Sequence, residues 1–270
     1  MSANLHVLSL VWLSTLGGLA GTPVALSSAT PEVRPMSTDR PDTTESAYTV
    51  PAGMFQVEMS FFDYSRDTFE GERVESWALG QMNVKAGLAA DLDLQVVFNS
   101  YEEVRVKGAA GADRFSGFGD VTVRLKKNLW GNDSGQTALA LMPYVTLPTG
   151  AEMSSELWEG GLIVPLAISL TERLSLGLMA QVDITQDVET GGQDLEWLHS
   201  ATLGISLTET LGMYVELVGI AGEDADYIAL FDAGLTLAVT DNCVFDAGVR
   251  IGLNRPAPDF GVFSGVSFRF

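Results

Sequence analysis

The chain has 270 residues, of which 46% are hydrophobic and 19% are charged. Beyond its first thirty residues no apolar run approaches the roughly 18 residues of a membrane-spanning helix, so the apolar character must come from alternation. The formal net charge of -20 argues against nucleic acid as a partner, because phosphate binding needs a basic patch and the sequence shows no basic run.

The N-terminal segment has the composition of a secretory signal. Residues 1–29 contain no Asp, Glu, Lys or Arg, and the apolar stretch from Val7 to Ala20 is too short to cross a bilayer. Small residues follow it, as at a cleavage site, although only His6 stands where a signal normally carries Lys or Arg. We predict a cleaved signal peptide over residues 1–29; a buried N-terminal segment is the alternative.

Residues 30–53 form a leader between the signal and the first predicted strand. Within the leader, Asp39, Arg40 and Asp42 make a charged turn around Pro41. One interpretation is a solvated periplasmic segment. The other is a segment that folds back into the lumen of a barrel, where Arg40 would pair with inward carboxylates and plug the pore.

From Met54 onward the dominant hydrophobic period is two, which is the period of strands. The even-numbered connections are short and the odd ones are longer, for example "SRDTFEGERV" and "YEEVRVKGAAGADRFSG". These features predict an all-β fold over residues 54–270, a transmembrane antiparallel β-barrel of the bacterial outer-membrane type with about 12 strands. The predicted strands lie near residues 54–63, 74–88, 92–102, 118–129, 136–147, 158–170, 173–185, 197–208, 211–221, 227–239, 243–253 and 260–270.

Aromatic residues mark the predicted membrane boundaries. The alternation changes phase between Leu79 and Met82, which predicts a bulge in the second strand. The Trp residues near strand ends, as interfacial girdles require, are Trp77, Trp158 and Trp197 at predicted outer ends and Trp130 at an inner end. In the last strand, "GVFSGVSFRF", Phe268 and Phe270 share one face, which we expect to meet lipid while the strand pairs with the first one.

The polar face of each strand is expected to face the lumen, where charges of both signs occur. A mixed lining predicts neither a simple anion sieve nor a simple cation sieve. Twelve strands lie between small filled barrels and wide porins, so a narrow path for small solutes is expected. The candidate lumen-lining residues are Glu58, Lys85, Asp93, Arg124, Lys126, Asp183, Glu216, Asp232, Asp246 and Arg250. For each of them, a purely structural pairing across the wall is an open alternative.

Three stretches, "TDRPDTTESAYTVPAGMFQVE", "GDVTVRLKKNLWG" and "LMPYVTLPTG", resemble an outer-membrane transporter family named for the MetA (meta-cleavage) pathway of phenol degradation. Ala47 stands where the family pattern suggests Pro, and Met54 where it suggests His. The resemblance implies an outer-membrane barrel that passes small, aromatic or hydrophobic compounds. The terminal Phe268 and Phe270 also resemble the signal that the barrel-assembly machinery recognises.

We therefore predict a passive outer-membrane channel for small organic solutes, surrounded by membrane lipid and lipopolysaccharide. The alternatives are a closed structural barrel and an outer-membrane lipid hydrolase. Hydrolysis is disfavoured because His199, the only histidine after the signal, lies next to Ser200, and adjacent strand residues point to opposite faces. No catalytic residues, cofactor or metal are predicted, because no nucleotide or metal-binding motif is visible.

Overall fold

A computed structural model describes residues 33–69, 71–109, 111–155, 157–186, 192–223 and 225–270. The predicted signal peptide, residues 1–29, lies outside these ranges. In the described residues no helix is long and apolar enough to cross a membrane. The strands in these ranges are β1 (Phe55–Phe69), β2 (Glu72–Ala89), β3 (Leu92–Gly108), β4 (Gly111–Gly117), β5 (Val121–Trp130), β6 (Thr137–Leu147), β7 (Glu159–Ser169), β8 (Leu174–Gln186), β9 (Gln193–Ser206), β10 (Leu211–Gly222), β11 (Ile228–Thr240), β12 (Cys243–Gly252) and β13 (Phe260–Arg269).

The strands close into an antiparallel barrel. The last strand, β13, pairs with β1, and the N–H of Phe270 donates to the carbonyl oxygen of Phe55 at 2.9 Å, as the N–H of Phe55 does in return. The inner half of β3 pairs with β5, whereas its outer half pairs with β4. Twelve strands therefore form the closed ring, and β4 only extends the β3 hairpin. Among the described strands of the ring, closure leaves no unpaired edge. The predicted 12-stranded antiparallel barrel is confirmed.

The barrel is apolar outside and largely polar inside, the reverse of a water-soluble domain. On β10, Leu217 is 57% exposed while its neighbour Glu216 is 1% exposed, and on β11 Leu235 is exposed while Asp232 is buried. Such strands are stable when the outer face meets hydrocarbon. Apolar side chains have no solvation penalty there, and the backbone polar groups are paired within the sheet. The period-two pattern of the sequence thus determines which residues line the interior.

Two connections that we predicted as loops are strands. Within "SRDTFEGERV", β1 continues to Phe69 and β2 begins at Glu72, and the described residues of "YEEVRVKGAAGADRFSG" belong mostly to β3 and β4, which pair as a hairpin. β1, β2 and β3 have 15, 18 and 17 residues, whereas the other strands of the ring have 10–14, so we call these two the tall hairpins. In β1 beyond Tyr64 both faces carry polar residues, so the alternation is lost there although the ladder continues. In β3 the residues from Glu103 to Lys107 still alternate polar with apolar.

The phase change that we predicted near Trp77 coincides with an irregularity in the sheet. Gly80 has a φ of 62°, a conformation that favours glycine, and the pairing of β1 with β13 shifts between Ser60 and Phe62 on the neighbouring strand. As a result Leu79 is 40% exposed on the outer surface together with Trp77, although strict alternation from the inward Lys85 would turn both inward.

Candidate functional site

Residues 37–50 of the leader run through the interior of the barrel. Their side chains and backbone contact residues on β1, β2, β3, β5, β9, β10 and β12, which lie on all sides of the ring. Asp39, Ala47, Thr49 and Val50 are each less than 9% exposed. Ala47 packs against Ala138 and Ala140 on β6, so the inner wall accommodates the small residue present here.

Asp39 is at the centre of a buried ion cluster. Its two carboxylate oxygens lie 2.5 Å from Lys85 Nζ and 2.6 Å from Lys126 Nζ. Lys85 also pairs with Glu58, whose carboxylate accepts hydrogen bonds from the backbone N–H groups of Asp39 and Arg40 at 3.1 and 3.0 Å. Burial alone would raise the pKa of Asp39, but the two ammonium groups hold it well below its usual range. The cluster ties the leader to β1, β2 and β5.

Arg40 binds β12 and β1, the two neighbours of the closing strand β13. Its Nη2 and Nε atoms lie 2.7 and 3.1 Å from the two carboxylate oxygens of Asp246 on β12, and Nη1 donates to Ser60 on β1. This two-pronged geometry is the strong form of a guanidinium–carboxylate pair. Gly265 makes room for it, because a Cβ at that position would lie 2.5 Å from Arg40 Nη2. The adjacent residues Asp39 and Arg40 therefore bind different strands: Asp39 binds lysines on β2 and β5, and Arg40 binds a carboxylate on β12.

Wall carboxylates also satisfy the backbone of the leader. Glu216 accepts hydrogen bonds from the N–H groups of Thr43 and Thr44 at 2.7 and 2.8 Å, and from the Thr44 hydroxyl at 2.6 Å. Asp93 accepts one from the N–H of Val50 at 2.9 Å. An irregular segment enclosed by a barrel cannot use a neighbouring strand for its N–H groups, so inward carboxylates replace the missing ladder.

Two leader carboxyl groups are poised to take up protons. Arg124 Nη1 lies 2.6 Å from Glu45 Oε1, whereas Oε2 is buried with no hydrogen-bond partner among the described residues. Burial, followed by the charge of Asp39, raises the pKa of Glu45 to about 7. Burial, followed by the charge of Glu216, raises the pKa of Asp42 well above its usual range. The leader thus contains one carboxyl group whose pKa is lowered and two whose pKa is raised.

The turn at residues 40–42 separates two cavities. The outer cavity, about 350 Å³, reaches Gln81, Arg250 and Phe263, and the inner cavity, about 330 Å³, reaches Ser206 and Thr236 near the short turns. Residues 40–42 line both cavities. The leader therefore occupies the level at which a continuous path through the lumen would pass.

One side of the interior is apolar, which the sequence interpretation missed. Met142 on β6, Ile163 on β7 and Met179 on β8 are buried together, with Tyr144 and Leu198 packed against them. The expectation of a polar inner face fails here because β6 and β7 carry apolar residues on both parities. A nearly continuous apolar run such as "TALALMPYVTL" is the available signal, since it indicates apolar surroundings on both faces.

The structure buries most of the predicted lumen-lining residues. Eight of the ten are less than 9% exposed: Glu58, Lys85, Asp93, Lys126, Asp183, Glu216, Asp232 and Asp246. Arg124 and Arg250 are partly exposed, with Arg250 lying 3.6 Å from both Asp63 and Asp232. Asp183 stands apart from the leader cluster and accepts hydrogen bonds from Tyr144 and Gln181. The set thus divides into residues that hold the leader and residues that pair within the wall.

The predicted assembly-signal residues lie on the outer surface, and the two residues weighed for hydrolysis lie on opposite sides of the wall. Phe268 and Phe270 are 37% and 65% exposed, with ring centroids 6.1 Å apart. His199 is exposed and lies 3.0 Å from the hydroxyl of Tyr227, whereas Ser200 is buried inside at 2.6 Å from the Thr44 hydroxyl. The wall of the barrel therefore separates His199 from Ser200, and the two do not form a nucleophile and base.

A family model described as "Putative MetA-pathway of phenol degradation" matches residues 38–270. The chain belongs to this family. The match begins within the leader and includes every strand of the barrel, so the leader and the barrel together form the unit that defines the MetA-pathway family. A comparison with curated proteins found no match.

Solved structures share the fold of this MetA-pathway family member. The COG4313 outer membrane channel from Pseudomonas putida F1 has a TM-score of 0.67 at 16% identity, over 83% of this chain and 98% of that one. The NanC porin has a TM-score of 0.51 at 11% identity, over 79% and 98% of the two chains. The translocator domain of the autotransporter NalP from Neisseria meningitidis has a TM-score of 0.51 at 8% identity, over 81% and 89%. At these identities the similarity establishes the fold alone.

Proposed function

We propose that the protein is an outer-membrane channel for small organic solutes, and that the docked leader closes it at rest. The observation that carries the proposal is the position of residues 40–42 between an outer and an inner cavity of a closed barrel. The similarity in fold to an outer membrane channel, and membership of a family named for phenol degradation, support transport of aromatic compounds. In this proposal a signal peptide is cleaved before the leader, and the barrel-assembly machinery inserts the chain.

The two-sided interior suggests the solute class. Charged and hydrogen-bonding residues surround most of the leader, whereas Met142, Ile163 and Met179 form an apolar part of the inner wall. The leader covers this part, because the N–H of Glu45 lies 3.3 Å from Met179 Sδ, so release of the leader would expose it. A solute with a hydrophobic ring and a polar end would satisfy both surfaces as it passes. We therefore propose small aromatic compounds with a polar substituent, without catalysis by the protein.

Single-channel conductance in planar bilayers tests the closure. Arg40→Ala removes both bonds to Asp246, so we expect longer or more frequent open periods than in the parent protein. Arg173→Ala is the matched control, because Arg173 is an exposed residue in the turn between β7 and β8. Blockade of the current by a substituted aromatic compound, and not by a sugar of similar size, would support the solute class.

A disulfide lock separates closure by the leader from other effects of Arg40→Ala. Ala47 and Ala140 pack together, so Ala47→Cys with Ala140→Cys, in a Cys243→Ser background, should join the leader to β6. Added to Arg40→Ala, the oxidised lock should return conductance to the parent level, and reduction should release it. If a folded barrel stays silent in every variant, the protein is a closed structural barrel instead.

A further inference from the structure

The tall hairpins carry a charged outer surface that no single stretch of the sequence reveals. Directly opposed residues of an antiparallel ladder point to the same face, so each row of pairs across β1, β2, β3 and β4 lies on one surface. The first row contains Tyr64, Trp77 and Glu103. The next rows toward the hairpin tips contain Arg66, Glu75, Arg105 and Arg114, and then Thr68, Arg73 and Lys107.

These rows lie on the outside of the barrel. Asp63 points inward, because it lines the outer cavity and lies 3.6 Å from Arg250, so its neighbour Tyr64 points outward. The Tyr64 and Trp77 rings lie 4.5 Å apart, and Trp77 is 38% exposed. Leu79, two residues further into the barrel wall, is also exposed. The outer face therefore changes from apolar to charged just beyond an aromatic pair, as at a lipid headgroup boundary.

The charge of this surface is opposite to that of the whole chain. We define the basic patch as Arg66, Arg73, Arg105, Lys107 and Arg114. These are five of the fifteen Lys and Arg residues in a chain with a net charge of -20. Two carboxylates, Glu75 and Glu103, lie among them, so cations outnumber anions on this surface. The sequence shows no basic run because the cations are separated by other residues and meet only through strand pairing.

The carboxylates orient the cations rather than neutralise the patch. Glu75 lies 2.7 Å from Arg73 and 2.9 Å from Lys107, and Glu103 pairs with Arg105 and Arg114. The Glu side chains are 13% and 5% exposed, whereas the four cations are 43–57% exposed. The guanidinium and ammonium groups therefore form the accessible layer. A guanidinium that uses part of its five-donor edge on a carboxylate keeps further N–H groups for a second anion.

We propose that the basic patch binds the phosphate groups of lipid A, the lipid anchor of lipopolysaccharide, in the outer leaflet. The proposal rests on the outer-membrane location given above but not on transport. A phosphate monoester at the headgroup level would lie beside Trp77 and accept bidentate hydrogen bonds from Arg105 and Arg114, while the acyl chains cover the apolar wall. An anionic lipid matches both the charge of the patch and its position above the aromatic pair.

Native mass spectrometry of the refolded protein in detergent can test this site. The probes are lipid A with two phosphates, its monophosphorylated form and phosphatidylethanolamine. The patch variant combines Arg73→Gln, Arg105→Gln and Arg114→Gln; the control combines Lys127→Gln and Arg173→Gln, two exposed cations at the inner end. We expect the patch variant to bind bisphosphorylated lipid A at least tenfold more weakly, the control to bind as the parent does, and phosphatidylethanolamine to show no difference.

Three results would overturn the proposal: equal lipid A affinity in patch variant and parent, equal loss in the control, or equal affinity of the parent for lipid A and phosphatidylethanolamine. Displacement of lipid A by equimolar inorganic phosphate would instead indicate a site for the free anion. Retained heat-modifiable migration on gels establishes that each variant is folded. Unchanged conductance of the patch variant would separate lipid binding from channel closure.

Discussion

Asp39→Asn is the sharpest perturbation of the buried ion cluster. It removes the carboxylate that bridges Lys85 and Lys126 while keeping the size of the side chain. Lys85 retains Glu58, but Lys126, whose side chain is 1% exposed, loses its paired carboxylate. Breaking a buried pair by removing one partner costs about 3–5 kcal/mol, and one cation here keeps a partner, so we expect about 3 kcal/mol. At about 1.4 kcal/mol per tenfold, the docking equilibrium of the leader should shift roughly a hundredfold toward release.

Hydrogen–deuterium exchange of a peptide covering residues 38–50 measures this shift. The amides of Asp39, Arg40, Thr43, Thr44 and Val50 are bonded to wall carboxylates, so their exchange reports docking directly. We expect exchange roughly a hundredfold faster than in the parent, in proportion to the shift in docking.

Matched variants make the result interpretable. Asp91→Asn makes the same chemical change in an exposed pair with Lys127, both side chains being 46% exposed, and should leave exchange of the leader unchanged. Adding Lys126→Met to Asp39→Asn removes the uncompensated charge and should restore much of the protection. Parent-like exchange in Asp39→Asn, with parent-like conductance, would refute the assignment of the ion cluster as the attachment of the leader.

Three further predictions concern pH, assembly and the outer face. Because the pKa of Glu45 is raised from 4.5 to about 7, the docked leader holds more protons than the released leader in this range. Docking should therefore weaken, and conductance rise, as pH increases from 5 to 8. Glu45→Gln should reduce this dependence, with Asp42 keeping its own contribution, and an opposite slope in the parent would contradict it. Deletion of Phe270, exposed on the closing strand, should lower the amount of assembled barrel in the outer membrane, as measured by heat-modifiable migration, and normal assembly would count against an assembly signal. Leu217→Arg on the outer face should cost about 2–4 kcal/mol of unfolding free energy in lipid vesicles, measured by urea titration, whereas no loss of stability would mean that this face does not contact lipid.

The barrel itself was predictable because its determinant is local. Alternation such as that of Glu216 and Leu217 assigns both faces of a strand without knowledge of its neighbours. The outer part of β1 was missed because polar residues occur on both of its faces around Arg66. The outer part of β3 was missed because the alternation around Arg105 places the polar residues on the outer surface, the reverse of the rest of the wall. The apolar surface around Met142 and Ile163 was missed because both faces of β6 and β7 carry apolar residues. The sequence pattern then gives no indication of which face points into the barrel.

Candidate site residues were predictable as a class but their partners were not. Parity alone gives Lys85, Lys126 and Asp246 as inward residues. Which of them meets Asp39 or Arg40 depends on the path of the leader, and no hydrophobic period constrains that path. Lys126 on β5 and Asp246 on β12 are far apart in sequence. The closed barrel brings them within hydrogen-bonding distance of the adjacent residues Asp39 and Arg40.

The attachment of the leader has a consequence for the order of folding. Asp39 contacts β2 and β5 while Arg40 contacts β12, so these two consecutive residues hold strands from the beginning and the end of the barrel. Both contacts exist together in the barrel that the pairing of β1 with β13 closes. We therefore expect docking of the leader to be the last step of assembly, after which it acts as an internal tie across the closing seam. The time at which the leader amides become protected from hydrogen exchange would then report when the barrel closes during insertion.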